Sequence, residues 1–305
     1  AGLASYFTGA LSFPSLISSQ VKLDAAAEAT KITPFFTMDI PPLMSVMTAL
    51  VLAFVVGLGL AYIKGDTLRR AAKEFEEIIT MAISSVIIPL LPIYIFGIFL
   101  DMTAAGKTKT VLTAFAAIIA VEALLTLTVI LVQFCIAGAF ARKNPFKAIY
   151  TMIPAYLTAL GTASSAATIP VTRAQTIKNG VSPETADFVV PLCATVHLAG
   201  STVKLVSCAV ALLLMGGAVG QLNPATFAGF IAMTGIVMVA APGVPGGAIM
   251  AALGILESIL GFDQAQLALM ITLYVATDSF GTACNITGDG AIAMIVDRIT
   301  PGRRA

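Results

Sequence analysis

The stretch from Gln266 to Val296 most constrains the fold, because it is apolar enough to cross a bilayer and yet carries ionisable side chains. Asp278, Asn285 and Asp289 all lie in its second half. A carboxylate at membrane depth costs at least about 2.5–3.5 kcal/mol, so it should face a partner or a water-filled cavity. The alternative is that these side chains only contact other helices. The pattern favours a small site for cations and a polar solute inside the membrane.

The composition of the chain is that of an integral membrane protein. Hydrophobic residues make up 58% of its 305 residues and charged residues 11%, against roughly a quarter charged in soluble domains. The net charge of +1 gives no reason to expect a nucleic-acid partner. The cysteines show no CxxC spacing, which favours small buried side chains over a zinc site or disulfides. They are Cys135, Cys193, Cys208 and Cys284.

Three uninterrupted apolar segments occupy the first half of the chain. They are Leu43–Ile63, Ile78–Leu100 and Val111–Phe140, and each is long enough to cross a hydrocarbon core of about 30 Å. Residues 14–42 are mixed and contain four prolines, which predicts a loop. Residues 1–13 lack the basic start of a signal peptide, and we expect the chain to lack its true N-terminus.

Four interrupted apolar segments follow, and they alternate between two kinds. The first and third, Tyr150–Val171 and Thr226–Leu260, are broken by small residues and proline, which predicts helical hairpins that enter the membrane and return. The second and fourth, Phe188–Met215 and Gln266–Val296, predict helices broken near the middle. Interrupted segments in corresponding halves indicate an inverted-repeat transporter fold with its site between the breaks. Irregular backbone at membrane depth requires protein or water around it.

The basic residues support this topology. With three full spans, two hairpins and two broken spans, twelve Lys and Arg residues fall on one side of the membrane and four on the other. An excess of positive charge marks the cytoplasmic side. We therefore expect a multi-pass protein of the cell membrane with a cytoplasmic C-terminus.

Four motifs in the interrupted segments resemble those of the dicarboxylate/amino acid:cation symporters, the family that includes the glutamate transporters. They are ASSAATIP at 163–170, PLCAT at 191–195, APGVPGGAIM at 241–250 and NITGD at 285–289. Their order and spacing agree with the family from about residue 43 to residue 296. Four ordered motifs make this resemblance specific.

The resemblance implies an all-α integral membrane protein with glutamate-transporter-like inverted repeats, two re-entrant helical hairpins and two broken transmembrane helices. It divides the chain into an N-terminal segment with an extracellular loop (1–42), a scaffold helix with a cytoplasmic loop (43–76), two linking helices (77–148) and a transport core (149–305). The scaffold helices that the family places before Leu43 are expected to be missing. The family also implies a homotrimer in which the transport core slides against the scaffold in an elevator motion.

The resemblance also gives the polar residues of the core their expected roles. Asp278 matches the ligand of the substrate amino group, and a carboxylate pairs well with an ammonium in a pocket of low dielectric constant. Hydroxyls and free N–H groups at broken helix ends suit the substrate carboxylate. The positions matched to the substrate site are Ser164, Ser165, Ser201, Val244, Gly246, Asp278, Gly281, Thr282 and Asn285.

One departure from the family indicates a neutral substrate. Members that carry acidic substrates have an Arg three residues after the amino-group ligand, and that position is Gly281 here. The alternative Arg position of the family is Ala163. A buried substrate carboxylate without Arg is unfavourable, so we expect a small neutral amino acid. The alternative is a proton- or sodium-coupled carrier of acidic amino acids or C4-dicarboxylates.

A second departure indicates fewer coupled sodium ions. The NMDGT motif of sodium-coupled members is HLAGS at 197–201, which puts Ala199 in the place of one sodium-binding carboxylate. Asp289 with backbone carbonyls preserves another site, because hard oxygen ligands suit such an ion. Sodium is the expected cofactor, with a proton as the alternative. The expected cation ligands are Cys193, His197, Asn285 and Asp289.

Three further titratable side chains lie within apolar segments and leave two interpretations open. In the first, Lys204 or a protonated His197 replaces a missing cation; in the second, Lys204 snorkels or pairs structurally with an acid, and His197 donates to a carbonyl. Glu122 could pair with Lys204 or carry a proton, and a structural polar contact is favoured. All three lie in or near the predicted core.

Two other classes of protein fit these residues less well. An intramembrane aspartyl enzyme needs Asp278 and Asp289 close together, but eleven residues of regular helix separate them by about 16 Å. A channel needs a continuous pore, whereas two hairpin tips around a closed pocket favour occlusion. We therefore predict a transporter in the lipid bilayer and not an enzyme.

Overall fold

The computed structural model describes residues 2–16, 44, 46–104, 108–216, 222–241 and 245–300. Within these ranges the regular structure consists of α-helices and one π-helical turn, Ile83–Ile87. In chain order the helices are α1 (Gly2–Leu16), α2 (Val46–Tyr62), α3 (Thr67–Ala82), α4 (Ile88–Ala104), α5 (Thr108–Ala141), α6 (Pro145–Thr162), α7 (Ser165–Lys178), α8 (Pro183–Val196), α9 (Ala199–Met215), α10 (Pro224–Val239), α11 (Gly247–Leu260) and α12 (Gln264–Ile299).

Helices occupy all three uninterrupted apolar segments. α2 and α5 cover the first and third, and the second contains the end of α3, the π-helical turn and most of α4. In the part of the chain that the structure describes, three stretches are long and apolar enough to cross a membrane: Val111–Ala141, Pro183–Met215 and Gln264–Ile299. The helical content and these stretches agree with an all-α membrane protein.

Helix α1 was not predicted by the sequence pattern. It packs against α9, where the Ser5 hydroxyl donates to the Val203 carbonyl at 2.7 Å. The Tyr6 hydroxyl donates to the Leu222 carbonyl at 3.0 Å. Residues 14–16 are therefore helical and not part of a loop as predicted, and residues 17–42 lie outside the described part of the chain. The hydroxyl groups of Ser5 and Tyr6 therefore connect the N-terminal part of α1 to the rest of the protein.

Two helix pairs lie at the positions of the expected hairpins. α6 and α7 are joined through Ala163, whose φ of 47° is left-handed, and the Ser164 hydroxyl caps α7 by accepting from the Ala167 N–H. α10 and α11 form the second pair, and Gly246 at the start of α11 has a φ of 73°. Residues 242–244 at the tip of this pair lie outside the described part of the chain.

Helix α12 lies at the centre of the core. Its N-terminal half packs with α9 and α11, and its C-terminal half packs with α6, α7 and α8. Helix α5 lies along it. The two helix pairs and the interrupted helix α8–α9 therefore pack around α12.

The interruption predicted within Phe188–Met215 is present, whereas the prediction of an interruption within Gln266–Val296 is wrong. Helix α8 ends at Val196 and α9 begins at Ala199. Helix α12, in contrast, runs without a break through residues 264–299. Its glycines face close neighbours: an added Cβ at Gly281 would lie 2.8 Å from Lys204 Cδ, and one at Gly290 would lie 2.8 Å from Met152 Cε. These glycines provide room for side chains and do not break the helix.

Candidate functional site

Asn285 of α12 caps the interrupted end of α9. The residue before α9 is Leu198, which has no polar side chain to cap it. The Asn285 Oδ1 atom accepts from the Gly200 N–H at 2.7 Å and from the Ser201 N–H at 3.3 Å, and Asn285 Nδ2 donates to Ser201 Oγ at 3.0 Å. A side chain from another helix thus satisfies N–H groups that a helix end leaves without intrahelical acceptors.

The carboxylate of Asp278 contacts the second helix pair. Its Oδ2 atom accepts from the Gly246 N–H at 2.7 Å, and the residue is 7% exposed. The left-handed φ of Gly246 aims this N–H at the carboxylate, in a conformation that other residues rarely adopt. Asp278 therefore joins α12 to the tip of the helix pair whose motif contains GVPG.

The ammonium of Lys204 lies on the other side of the same carboxylate. Lys204 Nζ is 3.9 Å from Asp278 Oδ1 and donates to the Tyr274 carbonyl at 3.0 Å. It also lies 4.0 Å from the centroid of the Tyr274 ring, within the range of a cation–π interaction. Lys204 is fully buried. This geometry agrees with the interpretation of Lys204 as a structural partner of a buried acid.

A second buried acid, Asp289, pairs with the histidine at the break. His197 Nδ1 lies 2.9 Å from Asp289 Oδ1, and His197 Nε2 lies 3.0 Å from Gln133 Nε2 on α5. An amide nitrogen only donates, so Nε2 accepts and Nδ1 carries the proton that is donated to Asp289. An added Cβ at Gly288 would lie 2.6 Å from His197 Cε1. Gly288 therefore leaves room for the imidazole, and His197 donates to a carboxylate instead of the expected carbonyl.

The surroundings of Asp289 fit a sodium ion in part. Its Oδ2 atom is buried without a hydrogen-bond partner among the described residues, and Cys193 lies close to this carboxylate. Helix α8 ends at Val196, next to His197, and carbonyls at a helix end can serve as oxygen ligands because most of them lack intrahelical donors. Asn285 fits less well, since its Oδ1 already accepts two N–H groups. In the described ranges, no group of three or more His, Cys, Asp or Glu residues is arranged to hold a metal ion.

The remaining predicted residues lie around this core. Ser165 is buried at the first position of α7, and Thr282 is buried on α12. Val244 lies outside the described residues. Gln133 and Tyr274 were missed by the sequence reasoning. A glutamine within the apolar segment Val111–Phe140 was the signal that could have indicated Gln133, whereas Tyr274 contributes a backbone carbonyl and a ring face that no motif marks.

Two buried acids on one central helix, an interrupted helix beside it and two flanking helix pairs indicate an all-α membrane protein with a polar functional site in its core. The chain belongs to the sodium:dicarboxylate symporter family, and the match extends over residues 1–299. This finding confirms the resemblance described above. The family consists of transporters and not of enzymes.

Two curated relatives show how far the similarity extends. The human excitatory amino acid transporter 2 is 31% identical over 159 residues, which are 51% of this chain and 27% of that transporter. The serine/threonine transporter SstT of Acinetobacter baumannii is 29% identical over 255 residues, which are 81% of this chain and 62% of that protein. The chain thus spans less than two thirds of the length of either relative.

Proposed function

We propose that this chain contains the substrate and cation sites of a secondary active symporter that moves a small neutral amino acid together with sodium. The observation that carries the proposal is the buried Asp278 carboxylate, held at the tip of the second helix pair with Gly281 one turn away. Family membership and the two relatives support amino acids as the substrate class.

The substrate ammonium binds Asp278 in this proposal. The carboxylate is buried, and the pocket already holds an ammonium from Lys204 within 3.9 Å of Oδ1. An ammonium is therefore the chemical group that this side of Asp278 accommodates. The Gly246 N–H on Oδ2 links substrate binding to the position of the second helix pair, which we propose as the extracellular gate.

The substrate carboxylate binds between the N-terminal end of α7 and Asn285, which caps the N-terminal end of α9. Helix α7 begins at Ser165, after its N-cap Ser164, and the N–H groups of its first turn carry the partial positive charge of a helix N-terminus. Asn285 Nδ2 uses one of its two hydrogens on Ser201 Oγ, which leaves the second as a donor. Thr282 lies one turn before Asn285 and lines the same side of α12 in this proposal.

Gly281 and Lys204 together select a neutral substrate. Gly281 has no side chain to bind a second carboxylate, and the aliphatic part of Lys204 occupies the adjoining space. The ammonium of Lys204 is engaged by Tyr274 and Asp278. A second substrate carboxylate would therefore be buried without a bidentate partner, which is strongly unfavourable.

Sodium binds at Asp289 in this proposal. The unpartnered Oδ2 atom and the carbonyls at the end of α8 are the ligands, and the ion supplies a positive charge that neutralises a buried carboxylate. His197 holds the other oxygen. We propose that sodium competes with His197 for this carboxylate, and that fewer ions are coupled than in glutamate transporters because Ala199 has no carboxylate.

The transport core, residues 149–305, moves against the scaffold helix of residues 43–76 in an elevator motion, and residues 77–148 link the two. We propose a homotrimer with a cytoplasmic C-terminus, on the basis of the family and of the basic loops. Helices α2 and α4 present many large apolar side chains at their surface, as lipid-facing or scaffold helices do.

Uptake competition tests the substrate class. The protein in liposomes takes up labelled serine in the presence of unlabelled serine, alanine, threonine, aspartate or glutamate. The proposal expects the three neutral amino acids to compete and the two acidic ones to have little effect. Stronger competition by aspartate or glutamate would overturn the neutral assignment and favour a carrier of acidic amino acids or dicarboxylates.

A further inference from the structure

Glu122 on α5 is a buried acid that has no role in the proposed substrate and cation sites. It is 1% exposed. Its Oε1 atom accepts from Cys208 Sγ at 2.7 Å and from Ser207 Oγ at 3.2 Å, whereas Oε2 has no partner among the described residues. The Thr277 hydroxyl lies near the carboxyl group, but it donates to the Leu273 and Tyr274 carbonyls.

Lys204 lies one turn before Ser207 and Cys208, the two residues of α9 that donate to Glu122. It interacts electrostatically with Glu122 and with Asp278, and its ammonium is on the Asp278 side, 3.9 Å from Oδ1. Two acids and one base therefore lie in one buried region of the core. With both acids ionised, the pocket would hold one uncompensated negative charge and one carboxylate oxygen without a donor, which burial makes strongly unfavourable.

A protonated Glu122 removes the uncompensated charge. The neutral carboxyl group leaves Lys204 and Asp278 as a balanced pair, and a neutral group costs far less to bury than a charged one. Among the described residues, the other titratable or charged groups that interact with Glu122 are Lys204 and Cys208 from α9 and Tyr274 from α12. Helix α1 has no charged residue, α4 has Asp101 near its C-terminal end, and α6 has Lys147 in its first turn.

We propose that Glu122 is a proton-binding site coupled to substrate binding: when the substrate ammonium pairs with Asp278, the Lys204 ammonium moves to Glu122, which gives up its proton. The O–H bond of Glu122 breaks and the proton goes to water, while Lys204 keeps its three N–H bonds. The pocket is neutral before the step, with one ammonium and one carboxylate. It is neutral after the step, with two of each.

This inference rests on the proposed role of Asp278 as the amino-group ligand. It adds that the substrate must displace an ammonium that belongs to the protein, and that the displacement releases a proton. By linkage, a released proton makes binding tighter as the pH rises. Substrate affinity should rise about tenfold per pH unit in the range where Glu122 is protonated in the free protein.

Calorimetric titration with serine and alanine tests the proposal. The heat is measured at one pH in two buffers with different ionisation enthalpies, which gives the number of protons released per bound substrate. We expect about one proton for the unaltered protein and for Glu257→Gln, a matched change at an exposed glutamate. We expect none for Glu122→Gln, which still binds a neutral amino acid; that binding shows that the variant is folded.

The outcomes separate the inference from the proposed function. Binding without proton release in the unaltered protein would overturn the inference alone. Proton release that persists in Glu122→Gln would overturn the assignment to Glu122. No binding of any neutral amino acid would overturn the proposed function, and the inference with it.

Discussion

Lys204 fills the space that a side chain at residue 281 would need. An added Cβ on Gly281 would lie 2.8 Å from Lys204 Cδ, and Lys204 is fully buried. The glycine at 281 and the lysine at 204 are therefore one structural feature, in which a cation from α9 takes room that a longer residue on α12 would occupy. Substrate selection depends on the pair and not on the glycine alone.

An arginine introduced at position 281 should be tolerated only when Lys204 is removed. Gly281→Arg alone should inactivate the protein, because overpacking costs about 1–3 kcal/mol and brings two buried cations together. Lys204→Ala combined with Gly281→Arg should recover transport and should raise the affinity for aspartate at least tenfold over that of Lys204→Ala alone. Competition with labelled serine measures the effect. Equal aspartate affinities in the double variant and in Lys204→Ala would contradict the packing argument.

The tip of the second helix pair should be sensitive at Gly246 for two reasons. An alanine there must adopt a φ near 73°, which costs about 1–2 kcal/mol, and the strain shifts the N–H that holds Asp278. Gly261→Ala is the matched control, since Gly261 has a φ of 66° and no neighbours within 4 Å of an added Cβ. Both variants should lose a similar amount of thermal stability, but only Gly246→Ala should weaken serine binding. Equal binding losses would place the gate elsewhere.

The cap provided by Asn285 should contribute to stability as well as to binding. Asn285→Ala leaves the Gly200 and Ser201 N–H groups without their acceptor, which should cost about 1–3 kcal/mol per buried group. Asn285→Asp keeps an acceptor oxygen and loses the Nδ2 donor to Ser201, so it should unfold at a higher temperature than Asn285→Ala. The midpoint of thermal unfolding in detergent measures this order. The reverse order would show that Nδ2, and not Oδ1, secures the end of α9.

Replacement of His197 should change the response to sodium. The imidazole holds one oxygen of Asp289, so His197→Asn should free the carboxylate and lower the sodium concentration that gives half-maximal uptake several-fold. Gln133→Leu is the comparison variant, because it removes the second partner of the ring and leaves the contact with Asp289. Its effect should be smaller. An unchanged sodium dependence in His197→Asn would indicate that the cation binds away from Asp289.

The fold was largely predictable from the sequence because hydrophobic segments of membrane length and their interruptions carry strong signals. The break before α9 was predicted from polar and small residues at TVHLAGS. The same reasoning was wrong for α12, since glycine and aspartate in a sequence do not reveal whether they break a helix or face a crowded neighbour. Only the packing of Lys204 and His197 against that helix distinguishes the two.

The residues of the candidate site were predictable from the sequence, but the contacts between them were not. Motifs indicated Asp278, Asn285 and Asp289, whereas the pairing of Asp278 with Lys204 and of Asp289 with His197 depends on how α9 lies against α12. Residues 204 and 278 are far apart in the chain, and no pattern in one sequence sets their distance. The unpartnered oxygen of Glu122 is likewise a property of packing.

The most direct test of the account is sodium-driven uptake of labelled serine into liposomes by the unaltered protein and by Asp278→Asn. Asp66→Asn serves as the control, because Asp66 is on the surface. Loss of a charge-assisted hydrogen bond costs about 1.5–3 kcal/mol, so the apparent affinity should fall at least tenfold in Asp278→Asn and should not change in Asp66→Asn. Saturable serine uptake that needs an inward sodium gradient and is weakened in this way is the predicted result. Uptake that is equal without sodium, or that is unchanged in Asp278→Asn, would contradict the account.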